Sequence, residues 1–166
     1  MNEPPANEPS GNMPTGNEPH EVGPLYRMHG SVHARGEGVG SGESIELAGR
    51  SVATLAVGPE QMATPLPVRF EEALEALGRL PRLFIEPDGS FVWTSSASEP
   101  TLWQLDGVLW DRGGQLNHVD LKGTCPPARF DELLSALGWP GAEMMFQLAI
   151  EAVFLDDAEF RRWACA

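Results

Sequence analysis

Hydrophobic and polar positions change period several times along the chain, and each change marks an element. Leu25, Tyr26, Met28 and Val32 predict a first strand between Leu25 and Ala34. Ile45–Leu47 and Val52–Val57, broken at Gly49 and stopped at Gly58-Pro59, predict two short strands. A helix is expected to begin at Pro67, with Phe70, Leu74 and Leu77 at helical spacing and Gly78 as the left-handed stop. Arg82–Glu86 and Phe91–Thr94 flank the turn Pro87-Asp88-Gly89 and predict a hairpin.

Two longer strands follow, Leu102–Asp111 and Gln115–Lys122, joined by Arg112-Gly113-Gly114. In the second, His118, Asp120 and Lys122 alternate with Val119 and Leu121, so one side is wet and the other dry. Pro126-Pro127 starts a helix burying Phe130, Leu133, Leu134 and Leu137 and ending at Gly138. Glu143, Gln147 and Glu151 form a polar stripe that either a helix or a strand can carry; the Met, Ala, Glu, Gln and Leu content of 142–155 favours a helix. Asp156 or Asp157 then caps a closing turn through Phe160 and Trp163.

Upstream of this lies a different regime. Asn2, Asn7, Asn12 and Asn17 recur in a five-residue register with Pro4, Pro9, Pro14 and Pro19, and the apolar side chains are few. Proline removes donors and biases its predecessor to extended geometry, so residues 1–24 are expected to be a disordered, acidic leader. Residues 25–44 are expected to hold a strand and then a hinge, because Gly36, Gly38, Gly40 and Gly42 occupy alternate positions without the lysine of a phosphate-binding loop. Residues 45–166 are expected to form a single α+β domain.

A match at an offset of 60 runs through the two helical segments. Thr64, Pro67, Arg69, Phe70, Glu72, Leu74, Ala76, Leu77 and Gly78 recur as Thr124, Pro127, Arg129, Phe130, Glu132, Leu134, Ala136, Leu137 and Gly138. Helix grammar explains the proline, leucines and glycine but not Arg-Phe or the threonine. The expected fold is α+β, a mainly antiparallel sheet with two or three helices on one face, built from two duplicated ββα units.

The net charge is −13 with a single lysine, Lys122, which leaves no basic stripe for phosphate backbones or anionic lipid. Nucleic acid and membrane are therefore not expected as partners, whereas a basic protein is. Cys125 and Cys165 lack any paired spacing, and no stretch has signal-peptide or membrane-span character, so a cytoplasmic location is expected.

Candidate chemistry is sparse. His29, His33 and His118 with Asp120 and Cys125 are the possible metal ligands, but lack ligand spacing, and no metal or cofactor is expected. Cys125 precedes a helix whose dipole favours a thiolate, and Asp106, Asp111 and Asp120 are acids for paired-carboxylate work; neither set has the grammar of a catalytic motif. Trp110 shares an alternating face with Gln104 and Asp106, and His118 and Asp120 share one on the next strand. These five are the candidate binding residues of a non-enzymatic domain of adaptor, chaperone-like or inhibitor-like type. The alternative is an enzyme or ligand-binding domain with a pocket between the two ββα units.

Overall fold

The computed structural model describes residues 23–165, so the leader expected to be disordered lies almost wholly outside the described residues. The strands are β1 (Tyr26–Ala34), β2 (Gly40–Leu47), β3 (Arg50–Ala56), β4 (Leu83–Ile85), β5 (Ser90–Thr94), β6 (Gln104–Arg112), β7 (Gln115–Cys125), β8 (Met144–Leu148) and β9 (Val153–Asp156). The helices are α1 (Pro59–Met62), α2 (Phe70–Gly78), α3 (Pro127–Ala136) and α4 (Asp157–Ala164). All nine strands join one antiparallel sheet in the order β2-β3-β9-β8-β1-β7-β6-β5-β4. The architecture is mixed α+β and mainly sheet.

Alternation decides which side of each strand is dry. Tyr26, Met28 and Val32 of β1, Leu105 and Leu109 of β6, and Val119 and Leu121 of β7 enter one hydrophobic core. Leu77 of α2, Phe130, Leu133 and Leu134 of α3, and Phe160 of α4 belong to the same core. Phe146 and Phe160 stack at 4.2 Å, with the Phe130 ring 5.8 Å from Phe146. The residues between, such as His29, Ser31, Asp106, Asp120 and Lys122, lie on the sheet's other face.

Three expectations are corrected. The segment 142–155 is not a helix but the hairpin β8–β9, turning through Ala152 at φ 56. Met144, Phe146 and Leu148 fill the core side, and β8 pairs with both β1 and β9; this pairing overrides the helix propensity of Met, Ala and Gln. Met145 is fully buried too, which hid the alternation. Second, the glycine-rich segment carries strand β2 from Gly40, locked to β3 by a two-residue turn with Ala48 and Gly49 both at positive φ. Only 35–39 of the expected hinge is outside the strands.

Third, α2 begins at Phe70 rather than Pro67, because the preceding backbone is engaged by β7: Leu116 N–H donates to Val68 O, and the Gln115 amide donates to Leu66 O and Val68 O at 2.8 and 2.9 Å. Gly78 closes α2 without left-handed geometry, whereas Gly138 adopts φ 103, and a Cβ there would overlap Pro67. Asp156 caps α4 by accepting from Glu159 N–H at 2.8 Å.

Candidate functional site

β6, β7, β1 and β8 lie side by side, and their registers bring the wet positions into rows across the sheet. Trp110 sits opposite His118, and His118 opposite His33. One step along, Val108, Asp120, Ser31 and Gln147 align. The next row holds Asp106, Lys122 and His29. At the end of the face, Gln104 lies near Thr124, which is opposite Arg27.

The first row is an aromatic ladder. Trp110 stacks on His118 at 6.1 Å and His118 on His33 at 5.0 Å, and Phe154 meets His33 edge-on at 5.4 Å. Trp110 is 49% exposed, yet its indole N–H donates to Asp120 Oδ2 at 2.7 Å, so the ring is held in place at the surface. Asp120 Oδ1 lies 3.8 Å from His118 Nε2, and Asn117 Nδ2 pairs with His118 Nδ1 at 2.9 Å. The Gln104 amide donates to Asp106 Oδ1 at 2.8 Å.

His33 is buried, and its Nε2 pairs with Ser31 Oγ at 2.8 Å while Nδ1 has no partner among the described residues. Burial, reinforced by the neighbouring His118, pushes its pKa from 6.5 down to about 4. Burial also lowers the His118 value, against the pull of Asp120. His33 is therefore a neutral imidazole at physiological pH.

Above these rows runs a groove. A cavity of about 420 Å³ is lined by His29, Ser31, Asp106, Asp120, Lys122 and Gln147. A second of about 450 Å³ shares Ser31, Asp120 and Gln147 with it and reaches His33, His118 and Met62 of α1. A third, about 440 Å³, lies over Arg27, Gln104 and Thr124 and shares no lining residue with the other two. The first two together follow β7 from Lys122 to Asn117, roughly 17 Å at about 3.4 Å per residue.

Of the sequence-predicted residues, Trp110, His118 and Asp120 form one contact set, and Gln104 and Asp106 line the same face toward its far end. Cys125 is elsewhere: it is fully buried in the core, and that burial pushes its thiol up to about 12, so it is no thiolate despite preceding α3. Asp111 accepts from Gly114 N–H at 2.9 Å and so shapes the β6–β7 turn. Among the described residues no group of three His, Cys, Asp or Glu is placed to hold a metal ion. His29 and His33 are four apart on a strand, about 13 Å, too far to share one.

Ser31, His33, Lys122 and Gln147 complete the groove and were not foreseen as members of it. The period-2 run His29, Ser31, His33 between Met28 and Val32 was the available signal. The Ser31–His33 pair falls short of a nucleophile–base unit, since among the described residues no carboxylate orients Nδ1, and the imidazole is a weak base. Comparison with protein-family models, with curated proteins and with solved structures finds no match to the chain. No helix of the described residues is long and apolar enough to cross a membrane.

Proposed function

We propose that this chain is a non-enzymatic binding module that holds an extended segment of a basic protein partner in the groove across the wet sheet face. The observation that carries the reading is Trp110: a half-exposed indole fixed by Asp120 and backed by His118, on a face whose neighbouring rows are polar. A rigid aromatic contributes large contact area with little entropy left to lose, which is what an interface anchor requires. The groove runs along the strands from Lys122 to Asn117, and suits an extended chain segment of about five or six residues better than a compact metabolite.

The net charge of −13 supplies long-range attraction for a basic partner. Two free cysteines, one buried, suit a reducing cytoplasmic setting. The reading takes helices α2, α3 and α4 as the cover of the dry face, with α2 and α3 descended from one ββα unit. The matched positions support that descent; the later start of α2, and its packing against β4, β6 and β7 rather than β2 and β3, depart from it.

The test is capture from native lysate on immobilised wild type, Trp110→Ala and Asp120→Asn, each checked for an unchanged melting temperature. A basic protein retained by the wild type and lost from both variants, with an on-rate that falls steeply with salt, is the expected result. Identical capture by all three forms would remove Trp110 from the interface and end the reading.

A further inference from the structure

The groove carries charge in a fixed order along the strands. Arg27 and Lys122 occupy successive rows at one end, and Asp120, tied to Trp110, occupies the next row. Among the described residues neither Arg27 nor Lys122 has an ion-pair partner, although Asp106 faces Lys122 in register. Elsewhere on the molecule Arg35, Arg79, Arg129, Arg161 and Arg162 are each paired to a carboxylate, while Arg50, Arg69, Arg82 and Arg112, like Arg27 and Lys122, have no such partner among the described residues. Lys122 and Asp120 thus present a cation and an anion in successive rows of one cavity lining, and Asp120 holds the surface indole of Trp110 in the row beyond.

Resting on the binding reading above, we propose that the partner segment carries an acidic residue over Lys122 and a basic residue over Asp120, two positions apart. The spacing follows from the sheet. Rows on one face of a strand repeat every second residue, about 6.8 Å, and an extended segment lying along β7 presents its own side chains at the same repeat. An acid and a base at i and i+2 point to the same side and meet both charges at once, whereas at i and i+1 they point to opposite sides. Asp120 Oδ1, facing His118 Nε2 at 3.8 Å, takes the incoming cation, and the Trp110 ring adds a cation–π face.

The probes are seven-residue peptides, Ser-Thr-Glu-Thr-Arg-Thr-Ser and its isomer Ser-Thr-Glu-Arg-Thr-Thr-Ser, titrated into the full chain at moderate salt and followed by amide shifts. Their equal charge cancels the overall field, so only spacing differs. The Glu-Thr-Arg peptide should bind roughly three- to tenfold tighter, with shifts at His29, Asp120 and Lys122. Lys122→Glu, a surface change checked by its melting curve, should abolish that difference and turn the preference to an Arg-Thr-Arg peptide.

Equal affinities for the isomers, or a preference that Lys122→Glu leaves unchanged, would overturn the charge pattern. Trp110-sensitive capture from lysate with no isomer preference sinks this inference alone. Isomer preference without Trp110-sensitive capture sinks the protein-partner reading and leaves the charge pattern standing.

Discussion

His33 provides a quantitative test of how the groove floor is built. Its pKa in the folded chain is about 4 against 6.5 ordinarily, so in that window the unfolded chain takes up a proton that the folded chain refuses. The sign follows: the neutral imidazole's contribution is fully present above pH 6.5, declines as pH falls, and is gone below about 4. The difference of about 2.5 units corresponds to roughly 3 kcal/mol, at 1.36 kcal/mol per unit. That is a large share of a typical domain's stability.

Urea unfolding at intervals from pH 7 to pH 4 measures this, comparing wild type with His33→Gln, whose amide can still reach Ser31. Carboxylate titration affects both proteins alike, so the difference between their curves isolates the imidazole. The wild type should lose about 3 kcal/mol more than the variant across the window. Parallel curves would show that His33 protonates as readily folded as unfolded, and the account of a desolvated, half-partnered ring would be wrong.

The core makes further predictions. Phe130→Ala should cost about 3 to 5 kcal/mol, because the ring is fully buried against Tyr26, Phe146 and Phe160; Phe70→Ala should cost distinctly less, because Phe70 is half-buried. Thermal melts of the two variants give the comparison. Gly30→Ala should destabilise by more than the usual strand change, since a Cβ there overlaps the carbonyl oxygen of Gln147 and would push β8 from β1; amide exchange in β8 should rise. A maleimide reagent at neutral pH should modify exposed Cys165 and spare Cys125, and rapid double labelling of native protein would contradict the buried-thiol assignment.

The elements legible in the sequence were those whose signal is local. β6 and β7 announce themselves by strict alternation around Gly113-Gly114, and α3 by Pro127, its leucine spacing and Gly138. The β8–β9 hairpin was not legible, because Met145 is buried on the second face beside Met144 and Phe146, leaving Gln147 as the one wet position of β8 and too little of a period to read. β2 was hidden by glycines, which are poor strand formers until a partner supplies hydrogen bonds. The candidate site was half visible. Trp110, Gln104, Asp106, His118 and Asp120 share local alternation, but the floor from Ser31, His33 and Gln147 depends on β1 meeting β7 and β8, a pairing across most of the domain that no window of sequence contains.

That pairing also sets a schedule for the chain as it is made. β1 precedes its partners, and Tyr26 meets Cys125, 99 positions later. At a synthesis rate of about 5 to 20 residues per second, the strand waits roughly 5 to 20 s before its first neighbour exists. During that interval it is an unpaired run with the composition of a central strand, the kind of segment that seeks the wrong edge. Arg27, His29, Ser31 and His33 interrupt its apolar side chains at every second position, so the newborn strand never offers two dry faces. The polar residues that later floor the groove thus serve earlier as guards against aggregation, and replacing them with valine would be felt first in the yield of soluble protein, before any partner is met.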